Sequence, residues 1–164
     1  MKHRLISYII AAFFAVSLSP SVALQAAPYA AVVMDARNGK IYHSRNADTR
    51  LHPASLTKMM TLYVAFQAIE KNEISLDSYV TVSRNAAAEP PSKLWLKRGQ
   101  KIKLRYLIRA AAIKSANDAA TAIGEAISGT EAAFAKRMTR TARAMGMSRT
   151  TFKNAHGLTR SGHL

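Results

Sequence analysis

The stretch Met59-Met60-Thr61-Leu62-Tyr63-Val64-Ala65-Phe66 carries no charge, and it follows Pro53-Ala54, which reads as a helix start. Proline fits the first turn of a helix, where its missing N–H would have had no partner. The pattern predicts a helix over residues 55–71, apolar on nearly every side until Gln67, Glu70 and Lys71. A helix that is apolar all round is buried on most faces. The rest of the chain must therefore pack around this element, with Met59 and Met60 as core filler.

The first turn of that helix holds Ser55-Leu56-Thr57-Lys58. Positions i and i+3 share a helix face, so Ser55 and Lys58 point the same way, within reach of one hydrogen bond. A serine hydroxyl is a poor nucleophile until a neighbouring base takes its proton. A lysine amine serves as that base only when burial or nearby positive charge lowers its pKa. The apolar surroundings would keep Lys58 poorly solvated. The helix N-terminus would place partial positive charge near Ser55, which favours a developing oxyanion. The same four residues also describe a capping serine and a surface lysine, so the pair gains weight only from its surroundings.

The length, 164 residues, fits one domain. Lys2, His3 and Arg4, an apolar run over residues 5–18, then Pro20 and the small residues Ala23, Ala26 and Ala27 have the layout of a secretory signal peptide. Residues 1–27 are expected to be that leader, cleaved between Ala23 and Ala27, with the domain over 28–164. The run is short for a transmembrane span. Cysteine is absent, which excludes disulfides, thiolate metal sites and a cysteine nucleophile. The five histidines are scattered without metal-ligand spacing. The formal charge is +15, or +13 without Lys2 and Arg4. An exported protein of that charge is drawn to anionic envelope surfaces, including peripheral contact with membrane headgroups, rather than to nucleic acid. Lys136, Arg137, Arg140 and Arg143 form one basic helix face, read as solvated.

Two strands, residues 29–34 and 40–43, flank Asn38-Gly39, a hairpin signal. A short strand is expected within 75–83, and Pro90-Pro91 ends an alanine run. Leu94-Trp95-Leu96 should be partly buried. Helices are expected over 104–113, over 119–127 with Asp118 as cap, and over 131–145 with Thr130 as cap; Gly129 and Gly146 end the last two. Residues 150–164 read as irregular.

Ser115-Ala116-Asn117 falls on the exposed connection between two of these helices. A serine there can relay a proton, and an asparagine can orient a substrate amide. Taken together, Arg50-Leu51-His52-Pro53-Ala54-Ser55-Leu56-Thr57-Lys58-Met59-Met60-Thr61, Pro91-Ser92-Lys93-Leu94, Gly99-Gln100, Lys114-Ser115-Ala116-Asn117-Asp118-Ala119-Ala120 and Phe152-x-Asn154-x-x-Gly157-Leu158 are similar to the D-alanyl-D-alanine carboxypeptidases of the low-molecular-mass penicillin-binding proteins. The similarity runs over residues 31–164.

The resemblance implies an α/β (α+β) serine DD-peptidase or β-lactamase-like fold, here a helical subdomain plus part of an antiparallel sheet. It implies that Ser55 forms an acyl-enzyme, that Lys58 activates it, that Ser115 passes the proton to the departing D-alanine, and that Asn117 contacts substrate and Lys58. The substrate would be a peptidoglycan stem peptide ending in D-Ala-D-Ala, with β-lactams as inhibitors, no cofactor, no metal, and a location in the periplasm or cell envelope. The family's third motif, Lys-Thr-Gly, has no counterpart in this sequence, and Arg160-Ser161-Gly162 follows Gly157-Leu158 too closely to replace it. The chain is therefore expected to be an N-terminal portion with little turnover of its own, since a cation and one oxyanion-hole donor would be lacking. The alternatives are a non-catalytic cationic envelope-binding remnant and a class A β-lactamase; Ala116, where those enzymes usually have aspartate, argues against the latter.

Overall fold

A computed structural model describes residues 29–159 and 161–163. The leader expected over 1–27 and Arg160 lie outside these residues. The chain divides into two units, one ending at Ala47 and the other starting at Asp48.

In the first unit, β1 (Ala31–Met34) pairs antiparallel with β2 (Ile41–Arg45), matching Ala31 to Arg45 and Val33 to His43, with a bulge between Val33 and Met34. The turn works as its sequence suggests. Gly39 adopts φ +74, a left-handed backbone that favours glycine, and Asn38 Oδ1 accepts the Lys40 N–H at 2.9 Å. Arg37 holds the Asp35 carboxyl below its usual range. Val32, Val33, Met34, Ile41 and Tyr42 are all exposed.

The second unit is built on α1 (Thr57–Glu70). It also contains β3 (Tyr79–Thr81), α2 (Arg84–Ala88), β4 (Lys101–Lys103), α3 (Leu104–Ile113), α4 (Asn117–Ser128) and α5 (Glu131–Ala144). Strands β3 and β4 pair antiparallel, with Val80 opposite Ile102. α1 packs against α3, α4 and α5. Ala65 joins Leu104, Leu107, Ala119 and Ile123 in one core cluster, while Met60 and Val64 join Phe134, Met138 and Phe152 in a second. Gly124 lets α4 and α5 close on each other, because a Cβ there would stand 2.7 Å from the Phe134 ring. The caps match the sequence at α5, where Thr130 Oγ1 accepts the Ala133 N–H at 3.1 Å. Gly129 and Gly146 end their helices at φ +79 and +86. Among the described residues, no helix is long and apolar enough to cross a membrane.

Three expectations need correction. α1 is not buried on most faces: Leu56, Met59, Tyr63 and Phe66 form an exposed apolar stripe, because α3, α4 and α5 cover only the opposite side. Met60 is core, but Met59 is 69% exposed. Trp95 is 68% exposed with the Lys93 ammonium 4.8 Å over its ring, and Leu96 fills the core instead. Asp118 does not cap α4, which starts one residue earlier. Its buried carboxylate accepts the N–H groups of Leu94 and Leu96, each at 3.0 Å, and so pins that loop to the helix.

The core predicts its own mutational pattern. Leu107 has no exposed surface, so Leu107→Ala should cost roughly 2–5 kcal/mol. Ile113 is 81% exposed, and Ile113→Ala should change stability by less than ~0.5 kcal/mol. Urea unfolding of both variants checks this, and equal losses would contradict the packing described.

Candidate active site

Ser55 lies in a single 3-10 turn, Ala54–Leu56, that leads into α1. The serine is exposed, whereas Lys58 directly below it is only 3% exposed. Lys58 Nζ stands 3.4 Å from Ser55 Oγ and donates to the His156 carbonyl at 2.9 Å. The first distance is long for a hydrogen bond, but it leaves the amine aimed at the hydroxyl. Burial lowers the amine from 10.5 to about 8, while the charge of Glu89 opposes that shift. Desolvation thus brings the lysine toward the range where a base operates near neutral pH.

The second motif is also distinctive. Ser115 adopts φ +55, a backbone region that disfavours a side chain, and its Oγ is buried without a hydrogen-bond partner. A strained backbone and an orphaned hydroxyl both cost stability. Asn117 begins α4. Its backbone N–H donates to the Ser92 carbonyl at 2.7 Å and its side-chain amide to the Pro90 carbonyl at 2.8 Å. The expected Asn117–Lys58 contact is not among the hydrogen bonds of the described residues, because the Pro90 carbonyl holds the amide nitrogen.

The irregular segment 152–158 supplies what the sequence did not reveal. Asn154 Oδ1 accepts the N–H groups of His156 and Gly157, and Asn154 Nδ2 donates to the Leu158 carbonyl. Thr61 Oγ1 donates to the Ala155 carbonyl at 2.6 Å. These bonds fix the His156 carbonyl over Lys58. Gly157, at φ +91, lies against the turn of Ser55: a Cβ there would meet the Ala54 carbonyl oxygen at 1.8 Å. The Asn-x-x-Gly spacing was the only signal of this loop, and nothing in it announces a lysine ligand.

Behind the lysine lies a buried polar cluster. His156 Nε2 is 3.3 Å from Glu89 Oε2 and 3.4 Å from Glu131 Oε1. Thr121 Oγ1 donates to Glu89 Oε1 at 3.0 Å, and the Ala155 N–H donates to Glu131 Oε1 at 3.3 Å. The three ligand atoms lie within 4.8 Å of one another, the one set among the described residues that could hold a metal ion. Hydroxyl and amide donors reach both carboxylates, while the buried His156 Nε2 makes no hydrogen bond among the described residues. The members of this cluster come from distant parts of the sequence, which is why no spacing revealed it.

The family model of D-alanyl-D-alanine carboxypeptidases, peptidase family S11, matches residues 16–164. The chain belongs to this family. It is similar to the D-alanyl-D-alanine carboxypeptidase DacF of Bacillus subtilis, with 38% identity over 81% of this chain and 34% of that protein. Its fold resembles the crystal structure of the carboxypeptidase DacD from Francisella tularensis (TM-score 0.78, 41% identity, 82% of this chain and 32% of that one). It also resembles penicillin-binding protein D2 from Listeria monocytogenes in its ampicillin-bound form (TM-score 0.71, 36% identity, 81% and 53%). The mixed helical and antiparallel-sheet fold expected from the sequence is the fold of these DD-peptidases. The chain spans about a third of the length of the first curated relatives it matches.

Gly157 packs directly against the turn that carries Ser55. Gly157→Ala should destabilise the protein by more than ~1 kcal/mol, since the new methyl collides with backbone and the left-handed φ adds strain. A thermal melt unchanged from wild type would contradict that role.

Proposed function

We propose that this chain carries the acylation half of a serine D-Ala-D-Ala carboxypeptidase acting on peptidoglycan stem peptides. The observation that carries the reading is a buried, partly neutral Lys58 amine aimed at the exposed hydroxyl of Ser55. With a pKa of about 8, roughly a tenth of the lysine is neutral at pH 7. The neutral amine takes the Ser55 proton as Oγ bonds to the carbonyl carbon of the penultimate D-alanine. The N-terminal end of α1 favours the oxyanion that forms. The C–N bond then breaks: Ser115 gives its hydroxyl proton to the leaving amine of the terminal D-alanine and takes a replacement from the Lys58 ammonium, which returns the lysine to its neutral form. Asn117 offers its amide oxygen to the substrate backbone, its nitrogen being held by Pro90. Water hydrolyses the ester and restores Ser55.

β-Lactams would acylate the same serine, as the ampicillin-bound relative suggests. The leader-like residues 1–27 support export, with 28–164 as the start of the catalytic domain in the periplasm or envelope. The charge of +15 supports peripheral contact with anionic envelope surfaces.

Protein expressed from the complete reading frame that encodes this chain should be labelled covalently by a fluorescent penicillin and should release D-alanine from D-Ala-D-Ala peptides. Ser55→Ala should abolish labelling, and Lys58→Ala should slow it by at least ~10²-fold. Labelling that persists in Ser55→Ala would identify a different nucleophile.

A further inference from the structure

The two halves of the site, Ser55–Lys58 on α1 and Ser115–Asn117 before α4, share no hydrogen bond among the described residues. Each is tied instead to a third segment. Asn117 is bound to the Pro90 and Ser92 carbonyls. Lys58 is bound to the His156 carbonyl, and the ring of that histidine reaches Glu89, the residue next to Pro90. Glu89 is therefore the side chain at which the two halves meet.

The chemistry of the contact is defined by the histidine tautomer. The Leu158 N–H points at His156 Nδ1 at 3.1 Å, so Nδ1 keeps its lone pair and the ring proton sits on Nε2. That N–H lies 3.3 Å from Glu89, just after the C-terminus of α2, and 3.4 Å from Glu131, in the first turn of α5, without hydrogen-bond geometry to either. α4 adds the Thr121 hydroxyl, 3.0 Å from Glu89 Oε1 and 3.4 Å from Glu131 Oε1. α1 contributes Lys58, whose charge state Glu89 opposes burial in setting. Glu89, Glu131 and His156 are all buried. A buried carboxylate is screened by solvent and salt less than an exposed one.

We propose that Glu89 is a positioning residue for Lys58: with Glu131 it packs its carboxylate against the His156 ring, whose carbonyl holds the lysine Nζ, and it presents its charge to the amine. In acyl transfer this acts in two directions. The packing keeps the amine under Ser55. The charge favours the ammonium, which is the form the lysine takes when it accepts the serine proton. Glu89 thus stabilises the product of the proton-transfer step without touching substrate. The inference rests on the role proposed above for Lys58.

The test follows Lys58 by ¹³Cε NMR of lysine-labelled protein, assigned with Lys58→Arg. In Glu89→Gln, Lys58 should titrate below its wild-type value of about 8. Glu89→Asp, which keeps the charge, should return it toward wild type. The pH at which penicillin acylation is half-maximal should move with the NMR value. A Lys58 titration unchanged in a Glu89→Gln protein that still melts cooperatively would overturn the proposal, and a lowered melting point alone would show only a structural role. If Glu89→Gln does not fold, the unmutated protein decides: Lys58 ¹³Cε should show a second, smaller inflection at the pH where the ¹³Cδ of Glu89 titrates, and its absence overturns the proposal. The NMR readout needs no turnover. Penicillin labelling away from Ser55 would therefore refute the acylation reading while leaving the Glu89–Lys58 coupling measured in its own right.

Discussion

A lysine ammonium kept from water is the constraint on which the rest of this structure depends. Lys58 is 3% exposed, and its hydrogen bonds go to one backbone carbonyl and one serine hydroxyl. Burying a charge is costly unless partners compensate it, and partial compensation appears as a shifted pKa. Here the amine falls from 10.5 to about 8. Too little burial would leave an ordinary surface lysine, always protonated. The His156 carbonyl accepts a hydrogen bond from the amine, and the Glu89 charge opposes the effect of burial on it.

Much of the surrounding architecture can be read as holding that balance. The helix hydroxyls of Thr57 and Thr61 reach the C-terminal segment, Thr57 through the His163 ring at 3.0 Å and Thr61 through the Ala155 carbonyl at 2.6 Å. Lys153 directs its N–H toward His163 Nδ1 at 3.3 Å, so the ring proton on Nε2 faces the Thr57 hydroxyl. Asn154 folds the backbone of 154–158 back on itself, and Gly157 lets it lie flush against Ala54. This loop has no regular secondary structure. Its backbone polar groups are satisfied by side chains rather than by a ladder.

How much of this was legible in the sequence depended on whether the cause was local. The Asn38-Gly39 turn, the Thr130 cap and the span of α3 follow from residues adjacent in the chain, and the structure has them where the sequence put them. The facing of Ser55 and Lys58 was readable for the same reason, since i and i+3 must share a side. Burial was read less well. α1 looked uniformly apolar, but which face is covered depends on where α3, α4 and α5 pack, and Met59 and Phe66 fall on the open side. Trp95 departs from the expected partial burial: its backbone is left-handed at φ +63 and the ring is exposed. The His156–Glu89–Glu131 cluster was invisible. Its three residues converge only through tertiary structure, and each alone resembles an ordinary surface group.

The central claim is that desolvation lowers the Lys58 amine far enough for it to serve as a base for Ser55. The pH dependence of the second-order rate of Ser55 acylation by a penicillin, followed by stopped-flow, tests it most directly. The rate should rise as the amine loses its proton, with an inflection near the value of about 8 set by burial, and then level off. A rate that keeps rising to the ordinary lysine value of 10.5, or one that stays flat across this range, would contradict the account.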